Sequence, residues 1–188
     1  MKASGLYHKS QVIKQPDVLV LFAYQNMQFP ALSYRRNWDY YRARCEASSS
    51  LSYSVHSICA SDMDEPESAY TYFMETAMMD LNDEHHCAHQ GIHSACAAGA
   101  WMAVVRGVGG TVLREDKVEI NPHMIPWWKS VKYSVVWHGQ KFTVTLTNEA
   151  LSLCSAKDNA KEIALSIGNE ECILIPGETL IKSVKVLE

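Results

Sequence analysis

The chain changes its periodicity once, at Gly107-Val108-Gly109-Gly110, and that single change limits the folds open to it. Upstream, apolar residues recur at helical spacing and end in an alanine-rich run, Ala95, Ala97, Ala98, Gly99 and Ala100 before Trp101. Downstream, Val131, Tyr133, Val135 and Trp137 alternate with Lys132 and Ser134, and Phe142, Val144 and Leu146 alternate with Thr143, Thr145 and Thr147. Gly139 separates the two runs, which is a hairpin signal. Helices followed by strands, rather than alternating with them, predict a segregated α+β chain and exclude a doubly wound sheet. The expected division is a helical part over residues 1–108 and an antiparallel β-sandwich over 109–188.

Within the helical part, Pro16 to Tyr24 reads as a helix with proline in its first turn. Pro30 and the aromatic Trp38-Asp39-Tyr40-Tyr41 predict a long irregular segment of the kind that borders sites. Leu51 to Ala60 is short and mostly apolar. Asp64, Pro66 and Glu67 supply an N-cap and first turn for a helix running to about Leu81. The small side chains in Ile92 to Val105 predict a helix that approaches its neighbours closely and is deeply buried. Beyond the hairpin, Ile163 to Ile167, Cys172 to Ile175 and Thr179 to Val186 read as strands, broken by Gly168-Asn169 and Pro176-Gly177.

Of the 188 residues, 47% are hydrophobic and 20% charged, which points to a packed globular chain rather than a disordered one. The formal net charge of -4, with no run of Lys and Arg, argues against a nucleic-acid partner. No apolar stretch reaches the roughly 18 residues of a membrane helix. Met1 to Gly5 has no apolar leader pattern, so the expected location is cytoplasmic and membrane-free. The six cysteines contain no CxxC pair and are expected to be reduced thiols.

Four segments in order resemble glycoside hydrolase family 65, the family of maltose, trehalose and kojibiose phosphorylases and related α-glucoside hydrolases. They are Ile13-Lys14-Gln15-Pro16-Asp17-Val18-Leu19, Arg36-Asn37-Trp38-Asp39-Tyr40-Tyr41, Ser49-Ser50-Leu51-Ser52 with Ser54-Val55-His56-Ser57-Ile58, and Gly91-Ile92-His93 leading to Ala98-Gly99-Ala100-Trp101-Met102-Ala103. The stretch from Asn121-Pro122 to Leu146 is similar to the family's C-terminal region. The resemblance implies the last helices of an (α/α)6 barrel followed by a small β-sandwich. It also implies that the glutamate protonating the leaving sugar lies upstream of the Lys-Gln motif, so that these 188 residues are inactive alone. A partner supplying the missing N-terminal part and a homodimer both fit the family.

The resemblance further implies that Lys14, Gln15, Ser49, Ser50 and His93 line the phosphate side of an active site acting on an α-glucoside disaccharide. Phosphorolysis needs inorganic phosphate as co-substrate and no other cofactor. Phosphate is already anionic and requires only donors and positive charge to hold it. Inverting hydrolysis instead needs a second carboxylate, about 6.5–9.5 Å from the acid, to activate water. Here the sequence departs from the phosphorylase pattern: Cys45-Glu46-Ala47-Ser48 replaces the usual His-Asp, and Cys96 replaces a serine. Glu46 is thus a candidate base toward water, and an exposed loop glutamate is its bland alternative. Lys14 also reads as an exposed charge flanking a helix, Ser49 and Ser50 as N-caps, and His93 as a helix-start histidine. Trp38 and Tyr41 are candidates for the sugar-binding mouth, although packing between helices is the ordinary use of such rings.

Two readings from other classes compete. His85, His86, Cys87, His89, His93 and Cys96 fall within twelve residues, and His89 and His93 share a helical face, so zinc is chemically feasible; without a paired CxxC, the expectation is no metal. Alternatively, the chain is a non-catalytic structural or assembly module whose inner helices expose apolar flanks.

Overall fold

The computed structural model describes residues 10–25, 29–46, 51–82, 86, 89, 91–168 and 170–184. They form two compact units, Met1–Ala103 and Val104–Glu188.

The first unit is helical. Pro16 caps α1 (Asp17–Gln25) by accepting from Val20 N at 2.8 Å, and Leu19, Phe22 and Ala23 form its buried stripe. The expected irregular segment after Pro30 is instead a three-turn helix, α2 (Ala31–Arg42). Its charged face conceals the helical signal, because only Tyr34 and Trp38, four residues apart, are buried. Tyr34 stacks on Phe22 of α1 with centroids 4.6 Å apart, and its hydroxyl donates to Asp62 Oδ2 at 2.9 Å. Burial, with Cys59 and Asp62 nearby, drives that hydroxyl's pKa far above its ordinary value, so it stays a donor.

α3 (Tyr53–Asp62) is buried on every side from Ser54 to Ser61. Two of its serines are satisfied by backbone carbonyls: Ser57 Oγ donates to Ala69 O of the following helix at 2.9 Å, and Ser61 Oγ to Ser57 O at 3.1 Å. Asp64 is not the cap of the next helix. It takes the left-handed φ of 54° in the turn, and α4 (Pro66–Ala77) starts after Glu65 with proline in its first turn. Short α5 (Met79–Asn82) follows, then α6 (Ser94–Met102) and a π-helical segment, Ala103–Val108. α6 crosses α3 at Gly99, where an added Cβ would lie 2.7 Å from both Cβ and Oγ of Ser54. The close approach is real, but deep burial of the whole helix is not: only Cys96 and Gly99 are buried in α6, while Trp101 is 53% and the preceding Ile92 85% exposed. Small residues let this helix touch α3 and α4 along one line, which leaves its other faces uncovered.

The second unit contains β1 (Thr111–Leu113), β2 (Val118–Ile120), β3 (Val131–Trp137), β4 (Gln140–Leu146), β5 (Ala150–Ser155), β6 (Ile163–Ile167), β7 (Glu170–Leu174) and β8 (Thr179–Ser183). They form two four-stranded sheets, ordered β1-β2-β6-β7 and β3-β4-β5-β8. The predicted hairpin is β3–β4, in register from Val131 with Leu146 to Trp137 with Gln140. Its two turn residues, His138 and Gly139, have φ of 48° and 78°, the signs of a two-residue turn that matches strand twist. One pairing departs from the antiparallel expectation: β2 runs parallel to β6. The chain leaves the first sheet after β2, builds three strands of the second, and re-enters beside β2 in the same direction, which is the crossover a parallel pair needs. Phe142, Val144, Leu146, Leu151, Leu153, Ile163 and Leu165 bury the facing sides. The fold class is α+β, helices first and a β-sandwich after them.

Candidate active site

Two chain segments far apart in sequence meet ahead of α3. Ile13 forms a parallel bridge with Cys45: Ile13 N donates to Arg44 O at 3.0 Å, and Glu46 N donates to Ile13 O at 2.8 Å. The bridge brings the Lys14-Gln15 pair beside Cys45-Glu46. The Cys45 thiol sits 4.0 Å from Lys14 O and 3.9 Å from Ser52 Oγ, linking both segments to the start of α3. Lys14 is exposed, whereas Gln15 and Glu46 are half-buried. A lysine and a carboxylate therefore flank one backbone bridge. Ser49 and Ser50 lie outside the described residues. The residue preceding α3 is Ser52, fully buried and without a side-chain capping bond.

Ser52 O instead accepts from His56, through the peptide N–H at 3.1 Å and ring Nδ1 at 2.7 Å. A carbonyl cannot donate, so His56 carries its proton on Nδ1. Its Nε2 is buried without a hydrogen-bond partner among the described residues. Burial lowers the pKa of this imidazole below its ordinary value; the nearby Arg42 lowers it further, and the Ser52 bond opposes them. Protonation is therefore favoured in the unfolded chain. Stability of the helical unit should be full above the unfolded value near pH 6.5 and fall as pH drops below it towards the folded pKa. Urea midpoints read from the helical signal between pH 7.5 and 5.5 should decline, and more shallowly in His56→Gln; equal slopes would exclude His56 as the cause.

His93 stands at the start of α6. Asp80 in α5 takes both of its donors, accepting from His93 N at Oδ2 (2.8 Å) and from ring Nδ1 at Oδ1 (2.6 Å). The ring bond, then the backbone bond, hold the Asp80 carboxyl below the usual carboxylate range. Six residues separate His93 from the Gly99 crossing, about 9 Å of helix. His93 is thus held on the helix that touches α3 at Ser54, two residues beyond Ser52.

The other candidates divide. Trp38, expected at a sugar-binding mouth, is fully buried, its indole N–H donating to Glu65 Oε1 at 3.2 Å. That burial is what packing between helices, the alternative reading of this ring, requires. Tyr41 is half-buried with its ring edge-on to Tyr40, centroids 5.0 Å apart. Of the zinc candidates, His85 and Cys87 lie outside the described residues, and Cys96 is buried. Among the described residues no group of three or more His, Cys, Asp or Glu is arranged to hold a metal. Asp80 lies outside all four segments that carry the family resemblance. Nothing in the spacing marks Asp80, thirteen residues from the histidine it holds.

Residues 3–102 match the family model of the glycosyl hydrolase family 65 central catalytic domain, and residues 112–174 match that of the glycosyl hydrolase family 65 C-terminal domain. The chain belongs to glycosyl hydrolase family 65. Family 65 relatives include the 3-O-alpha-D-glucosyl-L-rhamnose phosphorylase of Lachnoclostridium phytofermentans, 48% identical over 88% of this chain and 22% of the relative. The alpha,alpha-trehalose phosphorylase of Thermoanaerobacter brockii is 38% identical over 76% of this chain and 18% of its own length. A solved structure, "Putative kojibiose phosphorylase from human microbiome", superposes with a TM-score of 0.85 at 25% identity, covering 100% of this chain and 28% of its own. The chain thus spans about a fifth of the length of the curated relatives it matches. Helices α1 to α6 fall within the match to the central catalytic domain, and strands β2 to β7 within the match to the C-terminal domain.

Proposed function

We propose that this chain supplies the oxyanion-holding side of an inverting α-glucoside phosphorylase, with Lys14, Gln15, Ser49, Ser50 and His93 receiving inorganic phosphate and Tyr41 bordering the disaccharide. The observation that carries the reading is the Ile13–Cys45 bridge, which joins the Lys-Gln motif to the segment leading into α3. The relatives' phosphorylase names support it. An ammonium and ring N–H or backbone donors are what an anionic nucleophile needs, and no base is required to generate it. Residues 1–108 act as the last part of the barrel and 109–188 as the accompanying sandwich. Catalysis takes segments that the relatives carry beyond this fifth of their length, so the 188 residues by themselves leave α-glucosides uncleaved. The thiols of Cys59 and Cys96, buried in the core, suit a reducing, cytoplasmic compartment.

Hydrolysis is the second reading, favoured by Glu46, whose N–H bonds to Ile13 O put a carboxylate-bearing residue next to Lys14. Calorimetric titration of the chain with inorganic phosphate separates the two. Saturable binding, weakened roughly tenfold or more by Lys14→Ala, is expected from the loss of a charged contact. Glu46→Gln should tighten it by removing a like charge. An absence of phosphate binding, with Glu46→Gln abolishing hydrolysis in an enzyme carrying the remaining family segments, would establish the hydrolase instead.

A further inference from the structure

The Asp80–His93 contact has more order than a helix cap requires. Both carboxylate oxygens are engaged, one by the peptide N–H and the other by the ring of the same residue, at 2.8 and 2.6 Å. Two bonds to one residue from one carboxylate fix the backbone entry into α6 and the ring rotation together. An ionised carboxylate accepts and never donates, so Nδ1 must carry a proton in every state of the ring. The tautomer of a histidine is set by the bond its other nitrogen makes. Nε2 is then the nitrogen whose proton is exchangeable, and it is the one that Asp80 does not hold.

We propose that Asp80 is a positioning residue for the anion subsite: it locks His93 as the Nδ1–H tautomer, so that Nε2 is the atom offered to an incoming phosphate oxygen. The inference rests on the reading of His93 as part of that subsite. Neutral His93 then accepts through Nε2 from a P–OH group, and protonated His93 donates through Nε2 to a P–O⁻ group. The second bond is charge-assisted. Without Asp80 the neutral ring can place its single proton on Nε2 and lose the acceptor. The half-buried setting of both side chains, 18% and 29% exposed, keeps the pair from being a freely hydrated surface contact.

The test uses the full 188-residue chain with 15N-labelled histidine, the His93 signals being assigned by their loss in His93→Gln. Long-range 1H–15N spectra should show the Nδ1–H tautomer in the native chain and in Asp80→Glu, and a predominantly Nε2–H ring in Asp80→Ala. Inorganic phosphate should bind Asp80→Ala about tenfold or more weakly than the native chain, and Asp80→Ala should add little further loss in a His93→Gln background. A native Nε2–H ring, or a tautomer indifferent to Asp80→Ala, overturns the proposal. So does an equal loss of affinity in the His93→Gln background, which is what a purely structural cap gives. If the tautomer switches as described while the native chain binds no phosphate, Asp80 positions His93 but the phosphate reading of the subsite fails. Should Asp80→Ala not fold, the native and Asp80→Glu spectra still decide the tautomer.

Discussion

Gly110→Ala should cost the β unit at least about 4 kcal/mol, a large fraction of the roughly 5–15 kcal/mol that domains of this size hold in all. Two effects add. Gly110 has φ of +57°, a conformation that costs an L-residue about 1–2 kcal/mol. The larger effect is overlap: a Cβ there would run into the carbonyl carbon and oxygen of Asn121 and lie 2.9 Å from its Cα. These are backbone atoms that cannot rotate aside, and they are tied down, because Asn121 N donates to Gly110 O at 3.0 Å and His123 N to Val108 O at 2.8 Å. Gly139→Ala is the matched control. Gly139 has φ of +78° in the β3–β4 turn, but nothing lies within 4 Å of its added Cβ, so only the conformational cost of about 1 kcal/mol applies. Urea unfolding read from the β-sheet signal compares the two. Equal losses would mean that backbone overlap at Asn121 contributes nothing.

The contrast between these turns also explains what could be read without coordinates. The β3–β4 hairpin was visible because strict alternation and a glycine in a two-residue turn are local features, and the burial of Val131, Tyr133 and Val135 follows the alternation. The β2–β6 parallel pair depends on a crossover over some forty residues and leaves no local trace. α2 hides its helical signal for a different reason. Arg35, Arg36, Asn37 and Asp39 outnumber its buried residues, and the Arg35–Asp39 pair, 3.1 Å apart at i,i+4, supports the helix from its solvent face rather than its core face. Tyr34 and Trp38, four apart, were the available signal. The resemblance points to Lys14, Gln15 and His93 as candidates, whereas the Ile13–Cys45 bridge and the Asp80–His93 pair arise from tertiary contacts that no motif contains.

Trp38→Ala should destabilise the helical unit by about 3–5 kcal/mol, the range for deleting a fully buried large aromatic. The ring lies edge-on to Tyr72 with centroids 6.4 Å apart, 5.9 Å from His56, and beneath the Arg42 guanidinium at 4.9 Å. These neighbours come from α2, α3 and α4, so the cavity left by truncation opens where three helices meet and cannot be closed by moving one of them. The indole N–H is the smaller contribution. Glu65 would keep Arg42 at 2.6 Å and Arg35 at 3.1 Å after losing it. Trp38→Phe, which retains most of the ring area, should therefore cost only about 1–2 kcal/mol. Thermal unfolding followed at the helical signal measures both variants, with the β signal of the other unit as an internal reference. A Trp38→Ala chain of native stability would reverse the packing assignment and remove Trp38 as the residue that holds α2 against the α3–α4 pair.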